Sequence, residues 1–193
     1  MTTRRITSVA IACAVATLVL AAVTLASLAL GSRQIAPDVV WDALVNGGAS
    51  QDAQVVTQLR VPRTVAALVI GGALGLAGSI MQAMTRNPLA DPGVLGINAG
   101  AAFLVVTVTA ASGVATRAAT LGASLLGAGV AAGLVFAMSG SGGGSRSRLA
   151  LAGIAVSAAL ASLTQAVLAA NQYAFNEFRY WASGSLEGVD MAS

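Results

Sequence analysis

Histidine and lysine are absent from this 193-residue chain, and cysteine occurs once, as Cys13 within an apolar run. These absences exclude a Cys–His nucleophile, a Ser–His–Asp triad and a metal site built from histidine and cysteine. They also exclude a P-loop, because the lysine of that motif reaches the nucleotide phosphates. Any energy-driven activity would therefore take its energy from another subunit or from an ion gradient.

Charge is also scarce. Only 9% of the residues are charged and 56% are hydrophobic, with a mean hydropathy of +0.82. Soluble domains carry roughly a quarter charged residues, so this composition indicates an integral membrane protein. The basic residues are ten arginines spread along the chain without a basic run, and no nucleic-acid partner is expected.

Five long apolar runs predict membrane-spanning helices, because a span needs about 20 apolar residues. The predicted spans are 6–30, 64–85, 93–116, 118–138 and 149–175. Arginines fall at or outside the ends of these runs, as expected if an arginine at a helix centre costs about 2.5–3.5 kcal/mol. We predict an all-α, polytopic transmembrane helix bundle in which residues 1–193 form a single region. The first run is too long for a signal peptide and is interpreted as a retained span.

Two connecting segments differ in character. Residues 31–58 are long and polar and are predicted to form an external loop, with a short amphipathic helix that starts at Pro37. Residues 139–147 are rich in glycine and serine and form a flexible connector. The arginine count does not decide the orientation, but Arg4 and Arg5 before the first run favour a cytoplasmic N-terminus.

The segment 85–100, TRNPLADPGVLGINAG, is unusually hostile to helices for a membrane protein. Proline disfavours the α conformation in the residue before it, so Asn87–Pro88 should end the second span near Arg86. Asp91–Pro92 then reads as a new helix start, with aspartate as N-cap and proline at the first helical position.

Irregular backbone in this segment cannot face lipid, because its polar groups would stay unsatisfied. Two interpretations remain open from the residues alone. The segment is an ordinary interfacial turn, or it lies beside a translocation path with Gln82, Asn87 and Asn98 as polar lining.

Residues 59–102, LRVPRTVAALVIGGALGLAGSIMQAMTRNPLADPGVLGINAGAA, closely resemble the signature of the FecCD-type (BtuC-like) permeases. The matching motifs follow in order: L-R-x-P-R, a glycine-rich helix, S-x-x-M-Q, and N-P-L-A-x-P-x-x-L-G. Segments 151–167 and 180–190 resemble later parts of the family. These permeases are membrane subunits of bacterial ABC importers for iron–siderophores, haem and vitamin B12.

The resemblance implies roles for individual residues. Arg60 and Arg63 would face outside and pair with acidic residues of a solute-binding protein; the alternative is that both are interfacial anchors. Asn87 and Leu89 would form part of a cytoplasmic gate. The connector after the fourth span would supply a second gate region that includes Ser141 and Ser145.

The resemblance also implies partners and a location. We expect a multi-pass permease subunit in the bacterial cytoplasmic membrane, without enzymatic activity, cofactor or metal ligand of its own. Its partners would be a separate cytoplasmic ABC ATPase, an extracytoplasmic solute-binding protein, a second permease copy or paired permease subunit, and membrane lipid. Iron–siderophore uptake is the expected function, with vitamin B12 or haem import as alternatives.

Such permeases have about ten spans, each of about 20 apolar residues, whereas this chain has five predicted spans. It therefore looks like the N-terminal half of a permease, C-terminally incomplete, and a truncated non-transporting scaffold subunit is a further alternative. An ion-driven secondary transporter is disfavoured, because such proteins need an ionisable residue within a span and the predicted spans have none.

Overall fold

The computed structural model describes residues 2–31, 33–47, 50–140 and 146–184, and every regular element in these ranges is helical. The predicted all-α fold is confirmed. Four helical stretches in these ranges are long and apolar enough to cross a membrane, and a fifth apolar helix is shorter. The described residues divide into two compact units, one up to Gly72 and the other from Ala73 to Gly184, so that the boundary falls within a helix.

The first unit begins with the long apolar helix α1, Thr2–Ala29, whose apolar stretch has no buried residue. Helix α2, Pro37–Asn46, starts at the predicted proline, and Gly47 ends it with φ 65°. Helix α3, Gln51–Gln54, follows. A small core made of Ile35, Val40, Ala43, Ala53 and Val56 holds these elements together.

A π-helical segment, Val55–Arg60, joins α3 directly to α4, Val61–Thr85. Pro62 explains the wider turn: it has no N–H to donate, and its ring crowds the carbonyl four residues back. The N–H of Val61 accordingly bonds to the carbonyl of Val56, five residues earlier. This helical stretch was not predicted from the sequence, and it begins inside the predicted loop 31–58.

The second unit contains the end of α4 and five further elements. A 3₁₀ turn, Pro92–Leu95, precedes α5, Ile97–Ser112. Helix α6 covers Arg117–Ser139, and α7 covers Arg146–Ala170. Helix α8, Gln172–Ala182, is short and amphipathic. The main core of the second unit consists of Met81, Leu95, Ala131, Val135, Ala152 and Val156.

Two predicted runs extend beyond the helices that the structure shows. The run 93–116 is too long at both ends, because Gly96 (φ 73°) separates the 3₁₀ turn from α5 and Gly113 (φ 65°) ends α5. The run 149–175 is too long at its end, because Asn171 starts a new helix. Its Oδ1 accepts a hydrogen bond from the Ala174 N–H at 2.9 Å. Hydropathy does not detect these boundaries, because the flanking residues are apolar on both sides.

Helices α5 and α6 pack backbone to backbone at Gly100 and Gly127. A Cβ atom built on Gly127 would lie 2.2 Å from the carbonyl oxygen of Gly100, and one on Gly100 would lie 2.3 Å from that of Gly127. No side chain fits at either position. Other glycines within the helices, such as Gly71 and Gly129, have open space around them in the described part of the chain.

Candidate functional site

The end of α4 is closed by a left-handed residue. Arg86 has φ 48°, and the Asn87 N–H bonds to the carbonyl of Gln82 at 3.3 Å. Such a bond, spanning six residues, characterises the Schellman type of helix end. Left-handed backbone is uncommon for residues other than glycine. Arg86 therefore adopts it because the surrounding structure holds it there. The predicted end of this helix near Arg86 is confirmed.

Asn87 organises the turn that follows. Its backbone carbonyl accepts a hydrogen bond from the Ala90 N–H at 3.1 Å, and its side-chain Oδ1 accepts one from the Leu89 N–H at 3.0 Å. Pro88 favours this turn because its ring presets the backbone angle of the second turn residue. The turn leaves the Leu89 side chain 87% exposed, so this residue contributes little to the core.

Asp91 caps the next element as predicted. Its Oδ1 accepts a hydrogen bond from the Gly93 N–H at 2.7 Å, and Pro92 occupies the first turn. The element is one turn of 3₁₀ helix, however, and α5 starts only after the left-handed Gly96. A Cβ on Gly96 would lie 3.3 Å from Ser157 Oγ, so this point packs directly on α7.

The turn at Asn87 and Leu89 borders a cleft of about 430 Å³. The opposite side is formed by Ser147, Leu149 and Ala150 from the first turns of α7. The remaining lining residues are Met81, Thr85, Ala90 and Leu95. The structure therefore brings the predicted gate turn next to the helix that follows the glycine-rich connector.

The other predicted gate and path residues are placed less closely together. Ser141 and Ser145 lie outside the described residues. Gln82 and Asn98 are both exposed and do not line the cleft. Two polar residues that were not predicted, Thr85 and Ser147, also line the cleft; their position next to the predicted gate segments was the available signal.

The two arginines of the L-R-x-P-R motif have different environments. Arg60 is partly buried: its Nη1 donates to the carbonyl of Leu28 at 2.7 Å, and its Nη2 donates to the carbonyl of Arg33. Arg63 is exposed, and it forms no hydrogen bond or ion pair with another described residue. Arg33 lies near this motif and forms an ion pair with Asp52, with 2.9 Å between Nε and Oδ1.

A second cavity, of about 390 Å³, lies where α5 ends, α6 begins and α8 packs. Val106, Leu121 and Trp181 contribute apolar walls, and Arg117 and Glu177 contribute charge. The sequence did not predict this cavity, because the start of α8 was included in the preceding apolar run 149–175.

The chain is similar to several bacterial permeases. It is 43% identical over 173 residues to the ferric enterobactin transport system permease FepD of Escherichia coli K12, covering 88% of this chain and 52% of that protein. It is 40% identical over 152 residues to the Fe(3+)-citrate import permease YfmD of Bacillus subtilis, covering 77% and 42%. It is 34% identical over 168 residues to the vitamin B12 import permease BtuC of Salmonella arizonae, covering 86% and 49%.

The chain spans about half the length of these curated relatives. A solved structure described as a metal-chelate type ABC transporter in an inward-facing conformation matches with a TM-score of 0.71. That match has 24% sequence identity and covers 91% of this chain and 54% of the other, so it supports the fold. The model of the FecCD transport family matches residues 9–193. The chain is therefore a multi-pass membrane protein that belongs to the FecCD transport family.

Proposed function

We propose that the chain forms part of the permease of a binding-protein-dependent ABC importer, and that the importer takes up ferric siderophores. The observation that carries this proposal is the cleft between the Asn87–Leu89 turn and the start of α7, in a chain 43% identical to a ferric enterobactin permease. A hydrogen-bonded turn with a projecting apolar side chain is suited to closing a path for large solutes.

The gate works through the geometry of its turn. The hydrogen bonds of Asn87 fix the backbone, so Leu89 is held at the tip without support from the core. Movement of α7 relative to this turn would widen or close the cleft. Ser141 and Ser145 belong to the connector that leads into α7 and form the second part of the gate, while Gln82 and Asn98 offer polar groups along the path.

Docking and energy come from other proteins. The L-R-x-P-R motif, which contains Arg60 and Arg63, precedes the long apolar part of α4 and faces the solute-binding protein, where an exposed guanidinium group engages carboxylates. A separate ABC ATPase on the cytoplasmic side supplies the energy. Two permease copies, or a pair of related permease subunits, form the path between them.

Radio-iron uptake by iron-starved cells tests this proposal. Deletion of the gene is expected to abolish uptake of ferric enterobactin, and the intact gene restored in trans is expected to recover it. Labelled cyanocobalamin and haem serve as matched substrates in the same strains, because the chain is also similar to a vitamin B12 permease.

A deletion strain that retains full uptake of ferric enterobactin would contradict the siderophore assignment. Loss of cobalamin or haem uptake instead would assign the importer to that substrate. If the deletion strain takes up all three substrates fully, the chain is better explained as a scaffold subunit that does not transport.

A further inference from the structure

Arg60 closes the end of α1. The last carbonyls of a helix have no partner within the helix, and a cation near them is favourable. Leu28 lies in the last turn of α1, and its carbonyl accepts a hydrogen bond from Arg60 Nη1 at 2.7 Å. The planar guanidinium also reaches the carbonyl of Arg33, beyond the helix end.

The guanidinium of Arg60 packs closely against Gly31. A Cβ built on Gly31 would lie 3.1 Å from Arg60 Nη2 and 3.3 Å from its Cζ, so a larger side chain there displaces the group. A second tie between α1 and α4 lies close by, with Ser27 Oγ and Thr64 Oγ1 2.9 Å apart. Arg60 thus sits where the end of α1, the following segment and the start of α4 meet.

Arg63 lies three residues further along, almost one helical turn, and is exposed. None of the described residues accepts a hydrogen bond from it, whereas the charge of nearby Arg33 is compensated by Asp52. Its guanidinium is consequently available to an external carboxylate without loss of any bond described within the chain.

We infer that the two arginines of the motif have different functions: Arg63 docks the solute-binding protein, and Arg60 is a positioning residue that holds α1 against the start of α4. The docking half of this inference rests on the proposed function. The positioning half rests on contacts within the first unit. To bind an acidic group on a partner, Arg60 would have to give up its hydrogen bonds to the carbonyls of Leu28 and Arg33.

Disulfide formation between α1 and α4 tests the positioning half without any partner protein. Cysteines replace Ser27 and Thr64 in the full-length protein in native membranes, in a background where Cys13 and any other natural cysteine are replaced by alanine. The rate of disulfide formation under limiting oxidant is measured by blocking the remaining thiols with a large maleimide, and an immunoblot reports the amount of protein.

We expect Arg60→Gln and Gly31→Val each to slow disulfide formation roughly tenfold, which corresponds to about 1.4 kcal/mol. Gly31→Val keeps every arginine, so its effect does not come from lost charge. Arg60→Lys keeps the charge but not the planar fork, and an intermediate rate is expected. Arg63→Gln is the matched control and should react as fast as the parent pair. An Arg60→Gln rate equal to that of Arg63→Gln would overturn the positioning function.

Radio-iron uptake in the same variants, with the cysteines restored to their natural residues, tests the docking half. Arg63→Gln should lower uptake while its disulfide rate stays unchanged, and Gly31→Val should lower both. Normal uptake by Arg63→Gln would refute docking at Arg63. The disulfide rates would still decide the function of Arg60, so the two failures are distinguishable.

Discussion

At the scale of single residues, short polar side chains shape the backbone at the points where apolar helices begin and end. Asn87, Asp91 and Asn171 each accept a backbone N–H through a side-chain oxygen. Helix ends and turns leave backbone N–H groups without an acceptor, and the hydrocarbon of the bilayer offers none. These side-chain oxygens supply the missing acceptors. Asn171 has a second contact, from its Nδ2 to the carbonyl of Ala110 at 3.4 Å, and so links α8 to α5.

Asn87→Ala is expected to loosen the gate turn, because it removes the acceptor for the Leu89 N–H. A hydrogen bond of this kind contributes about 0.5–1.5 kcal/mol, so siderophore uptake should fall several-fold at unchanged protein amount. Asn87→Asp is the matched control, since its carboxylate keeps an acceptor at the same place. Equal uptake by the alanine and aspartate variants would show that this bond does not matter for transport.

At the scale of the elements, two devices set how the helices run. Pro62 forces a π-helical turn before α4, and the left-handed Gly96 turns the chain from the 3₁₀ turn into α5. The α5–α6 pair then depends on Gly100 and Gly127, whose backbones are in direct contact. Small residues permit this approach, which contributes van der Waals packing in a setting where the hydrophobic effect does not drive helices together.

Gly127→Ala should destabilise the second unit. The added methyl group would meet the Gly100 carbonyl oxygen at 2.2 Å, and the backbones would have to separate. Overpacking of this kind costs about 1–3 kcal/mol, which we expect to appear as a lower midpoint of denaturant-induced unfolding in detergent.

Gly129→Ala is the control for this substitution, because it lies on the same helix and a Cβ there meets no atom within 4 Å. Its unfolding midpoint should stay at or slightly above that of the parent, given the better helix propensity of alanine. A fall of the same size in both variants would mean that loss of glycine, and not the contact with α5, causes the effect.

At the scale of the whole molecule, an extensive apolar surface is the dominant feature. Side chains such as Leu18, Leu74 and Leu125 are exposed along the long helices, and the apolar stretch of α1 has no buried residue. This surface suits the hydrocarbon core of a bilayer and further helices of a permease. The predicted orientation, with a cytoplasmic N-terminus, follows from Arg4 and Arg5 and stays a prediction.

Single-cysteine labelling, in a background where Cys13 and any other natural cysteine are replaced by alanine, tests this orientation. Asp38 and Leu89 are both exposed, on the predicted outer and cytoplasmic sides respectively. A membrane-impermeant maleimide should label Asp38→Cys in intact cells, and Leu89→Cys only after the membrane is opened. Labelling of Leu89→Cys in intact cells would reverse the topology and exclude this turn as a cytoplasmic gate.

The sequence by itself determined the class of the protein, the apolar helices and the local turns. Hydropathy identifies α1, α4 and α6 because their composition differs sharply from that of the connectors, and Asn87–Pro88 and Asp91–Pro92 dictate turns through contacts within a few residues. These features depend on local chemistry and on the solvent that each side chain requires, so they were predictable.

Only the tertiary structure decided which polar and small residues meet. It separated Arg60, which binds the carbonyls of Leu28 and Arg33, from the exposed Arg63, although both belong to one short motif. It also selected Gly100 and Gly127 for close contact among many glycines. Such choices depend on groups far apart in the chain that meet only when helices pack, and the pattern along one helix does not contain them.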